Sequence, residues 1–298
     1  MKKTIIFLLL MILIINTYAQ DEAVAENDTT EGWKIKGTVG LGLSQVALSN
    51  WAAGGENSFS GSAFFRMSAE LRQGNNDWGN FLTTVYGLQK QGDNNSRKNE
   101  DNIEFISKYG RQVSEKWFYS VNMNFRTQFS KGYASAEDSI KISDFFAPAY
   151  LNLATGMDFK PNDNFSFLIA PVSTKFTFVA DDYLSSIGAF GVTAGKKARA
   201  EFGATVQMIY VKENILKNVN LTTNFDLFSN YADHPERIDV NWQLFLDFKV
   251  NDFLSASLGT HLIYDWDIKF AEMENGQEVL IDKVQLKEAF TFGLAYSF

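Results

Sequence analysis

From Trp33 to Phe298 the apolar residues recur at every second position, and the pattern restarts about a dozen times. The clearest stretch puts Trp117, Tyr119, Val121, Met123, Phe125, Thr127 and Phe129 on one face, and Phe118, Ser120, Asn122, Asn124, Arg126, Gln128 and Ser130 on the other. A period of two marks extended chain, in which successive side chains leave on opposite faces. The same alternation runs through the odd positions from Phe59 to Leu71, through Phe202 to Tyr210, Val219 to Leu227, Val240 to Phe248 and Ala256 to Trp266, and ends at Phe290 to Phe298. It predicts strands at 34–48, 57–73, 79–91, 101–113, 117–130, 148–160, 164–179, 198–212, 217–231, 238–250, 253–269 and 284–298. The phase is ambiguous in 79–91 and 164–179, and Pro171 predicts a bend or a displaced boundary in the second of these.

The links between the strands alternate in length. Gly74 to Asp77, Ser114 to Lys116, Pro161 to Asp163, Lys212 to Leu216, and Asn251 with Asp252 are short and rich in turn residues, whereas Lys131 to Ala147, Ala180 to Lys197 and Phe270 to Lys283 are long. Short turns on one rim and long loops on the other are the plan of an outer-membrane barrel, with the short side and both termini periplasmic. Aromatic residues follow four of the short turns closely (Trp78, Trp117, Phe165, Phe253), where an interfacial girdle would lie. Alternation alone also fits a soluble sandwich. The second face decides against that, because it carries Asn, Ser, Thr, Gln and Gly where a solvated sheet would carry dense Lys and Glu. The expected fold class is therefore all-β, an antiparallel transmembrane barrel of about 12 strands over 33–298.

The first residues read as an export signal: Lys2 and Lys3, an apolar run from Ile5 to Ile15, then Thr17-Tyr18-Ala19, with cleavage expected after Ala19. That run spans roughly 16 Å as a helix, about half of a ~30 Å hydrocarbon core, which disfavours a retained anchor. Residues 20–32, with Asp21, Glu22, Glu26, Asp28 and Glu31, read as an acidic flexible leader. The outer membrane is the expected destination, with lipid and the barrel-insertion machinery as partners. The chain end, Phe-Thr-Phe-Gly-Leu-Ala-Tyr-Ser-Phe, resembles the C-terminal insertion signal of Gram-negative barrels, with Tyr296 and Phe298 as its readable residues.

Composition removes several chemistries. With no cysteine there is no disulfide, thiolate metal site or cysteine nucleophile, and two histidines leave little for a His-rich metal enzyme. A formal charge of -8 argues against nucleic acid as a partner. No cofactor or metal is called for. A Ser–His hydrolase on a barrel would need a histidine beside a hydroxyl and a third, orienting group. His261 is flanked at strand spacing by Gly259 and Ile263, and His234 lies in Asp233-His234-Pro235-Glu236, so neither sits in a nucleophile motif. Asp265 and Asp267 share a face near the long-loop rim and would hold a divalent cation only with a third oxygen donor; solvated rim charge is the simpler reading.

With the apolar face outward, the lumen receives Arg66, Glu70, Asn122, Asn124, Arg126, Asn152, Asp158, Arg199, Glu201, Asn224, Asp226, Asp247, His261 and Asp265. Mixed charges facing one another across a narrow interior either form a salt-bridged plug or line a small water-filled path. The expectation is accordingly a non-enzymatic barrel, either a small passive pore or a plugged structural, surface-binding or assembly component.

The segment Leu48-Ser49-Asn50-Trp51-Ala52-Ala53-Gly54-Gly55-Glu56-Asn57-Ser58, with Asn99-Glu100-Asp101, Ser107-Lys108-Tyr109-Gly110 and Ser143-Asp144-Phe145-Phe146-Ala147-Pro148-Ala149-Tyr150 after it, resembles a family of bacterial exported proteins known as a domain of unknown function and treated as outer-membrane barrels. The turn Pro161 to Phe165 and the stretch Gly188 to Val192 fit the same resemblance. It implies location and fold, and it carries no catalytic residues. Within the box, Asn50, Trp51, Gly54, Gly55 and Glu56 are loop-binding candidates, because two glycines permit close backbone approach and Trp51 would tuck into the barrel mouth or meet a ligand.

Overall fold

The computed structural model describes residues 32–46, 56–133, 140–274 and 277–298. Twelve long strands close into one antiparallel barrel. In chain order they are β1 (Gly32–Val46), β2 (Ser58–Gln73), β3 (Asn76–Gln91), β4 (Arg97–Ser114), β5 (Trp117–Thr127), β6 (Ala149–Asn162), β7 (Phe165–Phe178), β8 (Ala198–Leu216), β9 (Val219–Asn230), β10 (Ile238–Lys249), β11 (Leu254–Tyr264) and β12 (Gln285–Ser297). Each pairs with its neighbours in sequence, and β12 pairs with β1 from Thr38↔Ser297 to Gly42↔Gly293. Closure leaves no sheet edge, which is what a strand protein needs where water cannot satisfy backbone groups.

The outer wall is apolar. Leu41, Val121, Phe202, Phe290 and Leu294 all point away from the lumen and are exposed. Near the short-turn rim the rings pair up on this wall: Trp33 with Trp78 (centroids 5.5 Å apart), Trp117 with Phe159 (5.0 Å) and Phe165 with Tyr210 (6.5 Å). Amphipathic rings favour the boundary between hydrocarbon and water.

Both ambiguous segments have a physical explanation. On β3 the alternation is weak because Phe81 and Val85 face inward while Asn80 and Thr84 face outward. On β7 the phase truly changes. Thr155 pairs with Val172 but Met157 pairs with Ile169, so one extra residue is inserted around Pro171. Before this bulge Ser166, Leu168 and Ala170 face inward; after it Ser173, Lys175 and Thr177 do. Proline, lacking a ladder donor, is accommodated where pairing is already broken. Opposite the bulge Gly156 has no side chain to spare, since a Cβ there would lie 2.0 Å from the Ile169 carbonyl oxygen.

Five boundaries move by three residues or more. β3 begins at Asn76, so the turn expected over Gly74 to Asp77 is Gly74-Asn75. Residues 212–216, expected as a turn, continue β8 to Leu216 through an irregularity at Asn214 (φ 51°), and the turn is Lys217-Asn218. β4 begins four residues earlier than expected, at Arg97, while β5 stops at Thr127 and β11 at Tyr264, because the chain beyond each of these last two enters its own loop structure. The long links hold two small hairpins, Gly132–Tyr133 with Lys141–Ser143 and Lys269–Glu274 with Gln277–Asp282, and the short helix α1 (Asp182–Ser186). Ala147, Val179, Leu184 and Val192 form a fully buried cluster that joins two of these links, with Phe190 packed against it.

Candidate functional site

The lumen is crossed by side chains at three levels. At the short-turn end, Lys36 of β1 meets Glu213 of β8 at 3.0 Å, Arg72 of β2 meets Asp163 of the β6–β7 turn at 2.6 Å, and Lys160 of β6 meets Asp77 of β3 at 2.6 Å. Just above, Lys108 of β4 donates to Asp158 (3.1 Å) and to Ser166 Oγ (2.6 Å), whose hydroxyl donates in turn to Asp158 (2.7 Å). Both charged side chains are almost wholly buried, 5% and 0% exposed. In this dry setting each charge depends on its partner.

At mid-height Arg66 grips Asp247 with both contacts near 3 Å, its guanidinium between the rings of Phe64 and Phe245 (4.9 and 4.7 Å). Glu104 accepts from Asn124 (3.2 Å) and Gln243 (3.0 Å), and Asp226 accepts from Gln207 (2.7 Å) and Asn224 (2.9 Å). Asn241 Oδ1 receives Arg126 (2.9 Å) and lies 2.7 Å from His261 Nε2.

At the long-link end Lys175 lies among Asp239 (2.6 Å), Asp265 (3.1 Å) and Glu201 (3.8 Å). Arg199 joins Glu201 (2.7 Å), Asp267 and the Gly191 carbonyl (3.0 Å), tying the Gly188 to Val192 segment to the barrel rim. Asp239, Asp265 and Asp267 are close enough together to hold a metal ion. The ammonium of Lys175 and the guanidinium of Arg199 already lie against these carboxylates, which accounts for the cluster without one. In the link beyond, Lys141 bridges Asp144 (2.8 Å) and Asp181. Hydrogen bonds to Asp144 and Asp181 hold the Lys141 ammonium well above its ordinary value, and the same contact from Lys141 lowers Asp181.

Between the middle and upper levels lies a cavity of about 710 Å³. Arg66, Asn122 and Ser257 bound it below, Phe190, Ile268 and Phe270 above, and Arg126, Tyr150, Asp226 and His261 form part of its wall.

The fourteen lumen candidates all lie on inward-facing positions, and the contacts above join most of them; Asn152 accepts from Ser173 Oγ (2.8 Å). Glu70 is the exception in setting, being exposed at the short-turn mouth. Sequence reasoning missed Glu104, Lys108, Lys175, Gln207, Asn241 and Gln243, which are as central as those it named. Five of them share the inward parity of their strands and were readable; Lys175 was hidden by the phase change at Pro171. His234, exposed, pairs with Glu236 at 2.9 Å. Of the box, Asn50, Trp51, Gly54 and Gly55 lie outside the described residues, as do residues 1–31, while Glu56 is exposed just before β2. Tyr296 and Phe298 point outward, their rings stacked at 6.4 Å.

Comparison with solved structures gives similarity to other barrels. The translocator domain of the autotransporter NalP from Neisseria meningitidis is 8% identical, with 91% of this chain and 90% of that one covered and a TM-score of 0.36. An outer membrane channel from Pseudomonas putida F1 is 10% identical, with 92% and 98% covered and a TM-score of 0.38. Outer membrane phospholipase A from Escherichia coli is 15% identical, with 91% and 94% covered and a TM-score of 0.32. No curated protein matches the sequence. Residues 43–133, from the end of β1 through β5 into the following link, match the family described as Protein of unknown function (DUF3078).

Proposed function

We propose that the protein is an exported outer-membrane barrel whose lumen is sealed toward the periplasm by its own side chains, and that it serves as a surface-facing binding component and not as a passive pore. The observation that carries this reading is the set of ion pairs beneath the cavity: Lys36–Glu213 joins strands on opposite sides of the lumen, Arg72–Asp163 and Lys160–Asp77 reach across four and three strands, and Lys108–Asp158 joins next-but-one strands in the buried layer above. A path for solutes would have to break several of them together. The apolar outer wall and its aromatic rim support the membrane setting. A non-enzymatic role is supported by the partner of His261, an amide oxygen where a nucleophilic hydroxyl would be required.

Planar-bilayer recording of the purified barrel tests the proposal. The expected trace shows no stable conductance steps in the wild type. Reproducible single-channel steps would overturn the sealed reading in favour of a small pore. N-terminal sequencing of the mature protein checks export, with Gln20 expected as the first residue.

A further inference from the structure

We infer that the lumen cavity is a binding site for a small organic carboxylate with an apolar or aromatic body, anchored by Arg126. The inference rests on the sealed-lumen reading only in that the cavity then has a floor and opens to one side of the membrane.

Four cations line the cavity. Three have carboxylate partners: Arg66 with Asp247, Lys175 with Asp239 and Asp265, and Lys287 with Glu100. Among the described residues Arg126 has none. Its contacts are the amide oxygen of Asn241 (2.9 Å) and the ring of Tyr150, 5.1 Å from the guanidinium carbon. Two carboxylates lie in its surroundings without forming an ion pair with it among the described residues: Glu104, directly opposite Arg126 on β4, accepts from Asn124 and Gln243, and Asp226, approached by Asn241 Nδ2 at 3.4 Å, accepts from Gln207 and Asn224. A guanidinium has five N–H donors in a planar fork. Withdrawn from bulk water without a counter-ion it is costly, and the group that relieves that cost best is a carboxylate gripped through two parallel hydrogen bonds.

A second donor, across the cavity on β12, is also unmet. Gln285 Nε2 is buried without a hydrogen-bond partner among the described residues. Asn122 Oδ1, at the deeper level, is likewise unpartnered but is an acceptor, and so does not compete for the same ligand group. Besides Tyr150 beside Arg126, the cavity lining includes Phe190, Phe228 and Ile263, which offer a surface for a hydrocarbon or aromatic body. The volume, about 710 Å³, falls in the ~300–1,000 Å³ range of small-molecule sites. A fork without an ion-pair partner, an orphan donor on the facing wall and apolar lining in one cavity are the complement of an acceptor-rich anionic head on an apolar body.

The test is calorimetric titration of the detergent-folded full-length mature barrel with phenylacetate, with 2-phenylethylammonium and toluene as comparators. Saturable binding of phenylacetate is expected, with none of the cationic comparator. Arg126→Gln, which keeps a hydrogen bond to Asn241 within reach, should weaken binding at least about tenfold while leaving the heat-modifiable gel shift intact. Arg126→Lys should fall between, since it retains charge and loses the fork. If Arg126→Gln does not fold, Gln285→Leu provides the second reading, with weaker phenylacetate binding expected. Absence of saturable binding by the wild type, equal binding of the cation, or unchanged affinity in a folded Arg126→Gln protein would each overturn the inference. Bilayer conductance of the same preparation judges the sealed lumen separately: a conducting barrel that still binds phenylacetate through Arg126 refutes the seal and keeps the site.

Discussion

The backbones of Phe298 and Gly37 exchange two hydrogen bonds, each 2.9 Å, and the Phe298 ring covers Gly37 so closely that a Cβ there would lie 2.2 Å from the ring. The last residue of the chain is thereby seated on the first strand of the barrel. The seat lies on the outer wall, and Phe298 is still 54% exposed. Its ring is thus available both to lipid and to whatever handles the chain before insertion.

Deleting Phe298 removes two backbone hydrogen bonds and one partly exposed ring, an effect of at most a few kcal/mol. The barrel should still fold into detergent, as judged by gel mobility of unboiled samples. If the terminal ring is read during insertion, the same deletion should leave the chain in the periplasm and subject to proteolysis. Normal outer-membrane levels of the deletant would refute that role. Gly37→Val, which displaces the ring without removing it, should retain insertion and lose part of the stability.

Asp158→Ala strips the counter-ion from a lysine that is 5% exposed. Breaking one side of a buried pair typically costs about 3–5 kcal/mol. Urea unfolding in micelles should show a loss of that order. The double variant Asp158→Leu with Lys108→Met should recover most of it, because no charge is then left without a partner.

The absence of cysteine makes topology directly measurable. Single cysteines at Ser186 or Asp233, both exposed in long-side links, should react with a membrane-impermeant maleimide on intact cells. Cysteines at Asn75 or Asp252, exposed in the short turns, should react only after the outer membrane is opened. The opposite pattern would invert the orientation.

Asp181 caps α1 by accepting from the Leu184 amide (2.9 Å) and also binds Lys141. Its folded-state value is depressed below 3.8, so its contribution is present above that pH and is lost as pH falls through the lower folded value. Lys141 is raised above 10.5, so its share is complete below that pH and is lost only at still higher pH. Hydrogen exchange at Leu184 and Ser185, corrected for intrinsic rate, should be level from about pH 5 to 9 and rise in strong acid. Asp181→Asn should keep the cap and abolish the acid response, whereas Asp181→Ala should loosen the helix at every pH by about 1 kcal/mol.

Strand number, closure and the inward or outward sense of most positions were legible in the chain, because a period of two with one apolar face leaves little freedom once lipid is the solvent. The alternation through Trp117 to Phe129 and Phe290 to Phe298 is enough to orient β5 and β12. The short turns likewise marked one rim and the long links the other. What one strand's pattern cannot specify is the partner across the lumen. That Arg66 meets Asp247, that Lys108 meets Asp158, and that Arg126 reaches the amide of Asn241 depend on the diameter and stagger of the closed barrel, which place residues more than a hundred positions apart at the same height in the first and last cases. Lys175 shows the limit most clearly. The bulge at Pro171 shifts the phase by one residue, so the side chain that gathers Asp239 and Asp265 reads as outward-facing from the first half of β7 and turns inward only in three dimensions.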